Sequence, residues 1–229
     1  VNKQAHIHLH TVNESQEGIE LNLTSPWGDI QLFHPHLIGF FNAQNLAASF
    51  AVLCVLGFEA SLSAKILSGI KPAKGRMQVL KEKGKPLVII DYAHTPDALQ
   101  KALTVLKPAA QAGKLYCVFG CGGNRDQGKR SLMGQVVEET ADYAVVTSDN
   151  PRDEDPIEII ADIIKNIHPK IVETDRKKAI QWAIEQANEG DVVLIAGKGH
   201  ENYQEIKGTR YPFDEDEITV SYTHLTLPT

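Results

Sequence analysis

The sequence has no apolar run near the roughly 20 residues that a membrane-spanning helix needs. Its first residues, VNKQAHIHLH, lack both the apolar stretch and the small-residue cleavage site of a secretion signal. Cysteine is scarce, with only Cys54, Cys117 and Cys121. An odd, low count argues against a disulfide scaffold and suits a reducing compartment. Cys117 and Cys121 stand four apart, and no second pair completes a zinc site. Positive charge is in deficit: 23 Lys and Arg face 29 Asp and Glu, a formal net charge of -6. Such a chain is a poor non-specific nucleic-acid binder, although a local basic patch for a small anion stays open. The phosphate-loop pattern G-x-x-x-x-G-K-[ST] does not occur. The chain opens on Val1 and its only methionines are Met77 and Met133, so a piece of a longer protein is expected.

What is there is ordinary globular composition, 42% hydrophobic and 23% charged. The 229 residues suffice for one large domain or two modest ones. Residues 5–33 alternate as strands, broken at Pro26, Trp27 and Gly28. NAQNLAASFAVLCVLG (42–57) reads as a buried helix ended by Gly57, and 61–68 as a second, short one. KPAKGRMQ then reads as a linker. From there the pattern changes to apolar strands alternating with amphipathic helices. The strands are 86–93, 114–120, 141–148, KIVETD and DVVLIAGKG; the helices are 96–106, 129–140, 155–167 and RKKAIQWAIEQA. Such alternation predicts an α/β domain with a mainly parallel sheet, over about 75–220. TVSYTHLTLPT shows no helical apolar stripe and reads as a frayed or foreign tail over 221–229.

Ligands of open α/β sheets bind at the carboxyl ends of strands. Four polar loops fall there: DYAHTP, GCGGNRDQGKR, SDNPR and GKGHE. In the second loop, Gly123 to Lys129 has phosphate-loop spacing, but Arg130 stands where Ser or Thr must hold magnesium. What survives is a flexible loop with three cations, Arg125, Lys129 and Arg130, able to meet a carboxylate or phosphate, or a glycine-rich turn with solvated charges. In SDNPR, Pro151 stiffens the loop that carries Asp149, Asn150 and Arg152. A stiff loop can aim a guanidinium at a carboxylate, or simply cap the next helix. In GKGHE, glycine permits close backbone approach, and Glu201 can pair with an ammonium group; a strand-end turn is the plain alternative. Asp91 ends a strand, where an acid can accept ribose hydroxyls. His94 can stack on a base or bond a phosphate, or serve structure alone. Asn42 reads as a helix cap; Asn45 carries an amide that can read the edge of adenine. His6, His8 and His10 share one strand face, but no nearby acid or cysteine supports a metal there, and no metal ligand is assigned.

Taken in order, LIGFFNAQNLAA, KGRMQ, DYAHTPDAL, VFGCGGNRDQGKR, VTSDNPR and IAGKGHENYQ resemble the Mur ligases, over about residues 18–218. The resemblance implies that 1–74 end a central α/β ATP-binding domain and that 75–220 form a Rossmann-like C-terminal ligase domain. It also implies that the catalytic phosphate loop, the magnesium ligands and a carbamylated lysine lie outside this chain, which alone would be inactive. The implied cofactors are ATP and Mg2+. The implied substrates are ATP, UDP-MurNAc-L-Ala-D-Glu and an amino acid, joined through an acyl phosphate. Asn42, Asn45, Arg76, Asp91 and His94 match nucleotide contacts. Arg125, Asp149, Asn150, Arg152, Gly197 and Glu201 match contacts to the amino acid. The DNPR form belongs to the branch that adds meso-diaminopimelate, whose extra carboxylate Arg152 would meet. A lysine-adding relative, a folylpolyglutamate synthase relative and a non-catalytic binding module are the alternatives. A monomer in a bacterial cytoplasm, with no membrane or nucleic-acid partner, is the expected setting. The same resemblance expects a closing helix after FDEDE, and the tail would leave that edge unpacked.

Overall fold

A computed structural model describes residues 6–110 and 112–224. By its internal contacts the chain divides into two units after Pro72.

The first unit starts with antiparallel strands β1 (His8–Ser15), β2 (Gly18–Ser25) and β3 (Gly28–His34), paired in that order. Alternation puts Ile19, Leu21 and Leu23 of β2 on one face, and all three are buried. Position 18 requires glycine: its φ is 132°, and a Cβ there would lie 2.2 Å from the His34 carbonyl oxygen. Helices α1 (Phe40–Val55) and α2 (Ala60–Gly69) supply Leu46, Phe50 and Leu67 to the same apolar cluster. The sequence reading makes Asn42 the cap of α1. The helix instead starts after Gly39, and Asn42 lies within its first turn, its amide donating to the Ile38 carbonyl at 2.8 Å.

The second unit is built on a six-stranded sheet. Its members in chain order are β4 (Gln78–Leu80), β5 (Leu87–Asp91), α3 (Pro96–Ala109), β6 (Leu115–Phe119), α4 (Gly128–Thr140), β7 (Tyr143–Thr147), α5 (Pro156–Ile164), β8 (Ile171–Glu173), α6 (Arg176–Gln186) and β9 (Val192–Ala196). A hairpin, β10 (Tyr203–Ile206) and β11 (Thr209–Pro212), and α7 (Glu215–His224) follow. The strand order is β4-β5-β9-β6-β7-β8, with only β4 antiparallel. The chain therefore winds outward through β6, β7 and β8, then returns to insert β9 beside β5. Right-handed crossovers put the returning helix on the opposite face. Accordingly α6, with Ala179, Ile180, Ala183 and Ile184, packs on Val88, Ile90, Val118, Val145, Val193 and Ile195. On the other side α3, α4 and α5 pack on one another and on β9 and β7. This is the mainly parallel α/β sheet that the alternation of strands and helices predicts, in the Rossmann-like form that the resemblance implies.

Sequence reasoning fails at the end of this unit. Its expected tail begins at 221, but α7 runs through His224; residues 225–229 lie outside the described ones. The stripe it missed is Glu215, Ile218 and Tyr222. Ile218 and Tyr222 pack on the apolar cluster, so that edge is covered. Glu215 hides the pattern because its carboxylate is matched underneath, at 2.7 Å, by Arg176. Both side chains are fully buried. Arg176 also donates to the carbonyls of Ala196 (2.8 Å) and Ser148 (3.3 Å), at the ends of β9 and β7. One guanidinium thus ties two strand ends to the start of α7. Leaving one partner of such a pair unmatched costs about 3–5 kcal/mol. Arg176→Met is expected to lower the unfolding free energy by about that much in urea denaturation; a loss below about 1 kcal/mol would contradict the clamp.

Candidate functional site

The carboxyl edge of the second unit gathers the polar loops. Asp91 closes β5 and is already engaged: its two carboxylate oxygens accept the N–H of Met77 (2.8 Å) and of Ala93 (2.9 Å). The segment 75–77 is thereby held to the strand end. Gly75 has φ 66°, and a Cβ there would lie 2.1 Å from the backbone of Gly199, so only glycine permits this approach. Next to Asp91, the Tyr92 ring collects three polar neighbours. Arg76 lies over it at 4.6 Å, and the rings of His94 and His200 sit 4.6 and 5.3 Å from it. The sequence reading named Arg76, Asp91 and His94, and the fold brings them together. It did not name Tyr92, although that residue lies inside a quoted motif, and it placed His200 on the GKGHE turn without a role.

The second group joins the loops after β6, β7 and β9. Asn150 is buried and donates to the Glu201 carboxylate at 2.9 Å. Lys198, fully buried, donates to the Asn150 side-chain oxygen and to the Tyr203 carbonyl, both at 2.8 Å. Its ammonium also lies 3.6 Å from Asp149 and 3.7 Å from Glu201. Burial pushes the Lys198 ammonium below the ordinary lysine range, and the Asp149 carboxylate pulls the other way. Gly197, at φ 124°, makes room for Asp149, since a Cβ there would lie 2.6 Å from its carboxylate. Arg152 sits in the left-handed region at φ 54°. Hydrogen bonds to the hairpin fix it: its N–H donates to the Glu205 carbonyl at 3.1 Å, and the Lys207 N–H donates to its carbonyl at 2.7 Å. Its guanidinium donates to the Gly123 carbonyl at 2.8 Å and pairs with Glu205 at 3.5 Å. A Cβ at Gly122 would stand 2.9 Å from that guanidinium and 3.8 Å from Cγ of Arg125. Arg125 and Arg152 therefore flank one glycine turn.

Two sequence expectations need correction. Arg130 is not a cation of the loop. It is buried, pairing with Glu154 at 2.7 Å and Asp162 at 2.9 Å, so it holds α4 to the loop before α5 and to the last turn of that helix. Lys129 is half-buried and donates to the His94 carbonyl at 2.8 Å, in the loop after β5. Of the three expected cations, Arg125 is the exposed one whose side chain flanks the Gly122 turn. Asn42 and Asn45 belong to the first unit, where Asn45 is exposed and its amide points at Asn42 at 3.4 Å. Cys117 and Cys121 are buried free thiols; burial pushes Cys117 far up and Cys121 up to about 12, so neither is a nucleophile near neutrality. Among the described residues, no three His, Cys, Asp or Glu side chains stand together as a metal site.

Chemically, the edge offers guanidinium groups beside a glycine turn and carboxylates beside a buried amide. That combination suits a zwitterion, with carboxylate and ammonium met at separate points. A Rossmann-like sheet with such an edge places the unit among the open α/β domains, whose ligands bind at the carboxyl ends of the strands. Residues 75–199 match the Mur ligase, glutamate ligase domain, and the chain belongs to the Mur ligase family. It is 50% identical over 218 residues to the UDP-N-acetylmuramoyl-L-alanyl-D-glutamate–2,6-diaminopimelate ligase of Neisseria meningitidis serogroup A, covering 94% of this chain and 44% of that protein. It is 52% identical over 205 residues to the ligase of the same name from Chromobacterium violaceum, covering 88% and 41%. A solved structure of a ligase of that name superposes with a TM-score of 0.75 at 41% identity, covering 96% of this chain and 46% of that one. The chain thus spans less than half the length of these relatives.

The Arg130–Glu154 pair also makes a pH prediction. The Arg130 guanidinium and the Asn124 N–H hold the Glu154 carboxyl below its ordinary value. The folded chain then binds fewer protons there than the unfolded one. The contribution is whole above the ordinary carboxylate range and fades as the pH falls through the lowered value. Glu154→Gln should therefore flatten the loss of stability between about pH 5 and pH 3, read by denaturation at each pH. An unchanged slope would contradict the pairing.

Proposed function

We propose that this chain serves an ATP-dependent ligase that adds meso-diaminopimelate to UDP-MurNAc-L-Ala-D-Glu, in a bacterial cytoplasm and as a monomer. Residues 1–74 would close a central ATP-binding domain, and 75–220 would form the ligase domain. The observation that carries the reading is the joined pair of loops, DNPR and GKGHE, with Asn150 bonded to both Glu201 and Lys198. The two named relatives, at 50% and 52% identity, favour the same substrate.

ATP supplies the phosphoryl group that activates the D-glutamyl carboxylate, and Mg2+ balances its charge. The residues around Tyr92 fit a nucleotide: Asp91 retains acceptor capacity for hydroxyls, while Arg76 and His94 can meet phosphate or base. Asn45, with Asn42 beside it, is read as an adenine contact. No residue described here is assigned to Mg2+. The other loops hold the amino acid. Arg152, with Arg125 across the glycine turn, takes a carboxylate. Asp149, Asn150, the backbone of Gly197 and Glu201 take an ammonium group. Holding the amine in place turns an encounter between two molecules into a step within one complex, which is where binding accelerates the chemistry. Diaminopimelate is lysine with one more carboxylate at its far end. Lysine in this site lacks the carboxylate that would add to the present partners of Arg152, Glu205 and the Gly123 carbonyl, and so forgoes one charge-assisted contact.

Calorimetric titration with meso-diaminopimelate and with L-lysine tests this. The chain should bind the first more tightly. Arg152→Ala should weaken it by about 10- to 100-fold, the worth of a charge-assisted hydrogen bond, with little change for lysine. Equal binding of both amino acids would remove Arg152 from the role of selector.

A further inference from the structure

Lys198 is the one lysine of this edge that solvent does not reach, and a bare buried ammonium is costly unless it is matched. Its partners come from three separate segments: Asn150 from the loop after β7, Glu201 from the loop after β9, and Tyr203 from the hairpin. The same Asn150 oxygen also accepts the Glu205 N–H at 2.9 Å, and Gln204 donates to the Asp149 carbonyl at 2.7 Å. Take away the ammonium and these segments lose their common anchor. The charges around it do not cancel. Arg176 is matched by Glu215, and Arg152 by Glu205. Lys198 faces two carboxylates, Asp149 and Glu201. One negative charge is left over, at a place where a cation can complete the set.

We propose that Lys198 is the positioning residue of this edge: its buried ammonium spaces the Asp149 and Glu201 carboxylates into a receptor for one ammonium group of the amino-acid substrate. The inference rests on the amino-acid reading given above and adds to it the group that sets the geometry. Lys198 does not touch the substrate; it acts through the two acids. Without it, two like charges would face each other around a buried amide. The two acids would then move apart, and the receptor would lose its shape. A role in stability alone would weaken every ligand equally.

The experiment compares meso-diaminopimelate with pimelate, which has the same carbon chain and carboxylates but no ammonium group. Both are titrated into the full chain by calorimetry, as wild type, Lys198→Met and Lys198→Gln. The glutamine amide keeps a neutral hydrogen-bond donor in the buried site, which covers the case in which the methionine variant does not fold. The wild type is expected to prefer meso-diaminopimelate. Either folded variant is expected to shrink that preference by about tenfold or more while pimelate binding changes little. A preference kept in the variants, or an equal loss for both acids, overturns the role of Lys198 alone. A wild-type chain that binds neither acid overturns the amino-acid reading, and this role with it.

Discussion

The Arg176 guanidinium is the constraint on which this edge depends. It is buried, and it donates to backbone carbonyls at the ends of β7 and β9 while pairing with Glu215 of α7. The DNPR loop leaves from the first of those ends and the GKGHE loop from the second. Arg176 therefore fixes the distance between two loops that are about 50 residues apart in sequence, before any ligand arrives. Continuum reasoning says that a buried pair like this adds little net stability over an apolar replacement. Its worth here lies in specifying where the strand ends stand. Leu and Met side chains could fill the same space but could not bond two carbonyls.

Around that clamp, polar order spreads outward in layers. Asp149 and Asn150 are nearly fully buried, and each has partners on the hairpin or on the loop after β9. Glycines at 122 and 197 leave the room that guanidinium and carboxylate need. Arg152 keeps a left-handed backbone because the hairpin bonds it on both sides. That conformation carries strain, which the two hydrogen bonds to the hairpin offset.

Much of the fold was legible because strand and helix periods differ and the strands are buried on both faces. Val88, Ile90, Val118 and Val193 belong to continuous apolar runs, and no helix reading competes with them. The carboxyl-edge rule then placed the loops correctly without any contact being known. Four things were hidden for physical reasons. Glu215 opens α7 as a charge, so the stripe through Ile218 and Tyr222 looked too polar to be a helix. Arg130 looked like a free cation because its partners, Glu154 and Asp162, are distant in sequence. Lys198 sat in a quoted motif, yet its importance comes from burial, which sequence alone does not print. The hairpin over 203–212 was missed altogether, since both strands are short, YQEI is mostly half-buried and TRYP is exposed.

The central claim is that the carboxyl edge of the second unit is a preformed receptor for a charged amino acid. A backbone amide NMR spectrum of the uniformly labelled chain, titrated with meso-diaminopimelate, tests it most directly. The account predicts shifts confined to residues 120–125, 149–153 and 197–206, with the amides of α3, α5 and α6 unmoved. Shifts that map to the opposite, amino-terminal edge of the sheet, or a spectrum that does not change at saturating ligand, would contradict it.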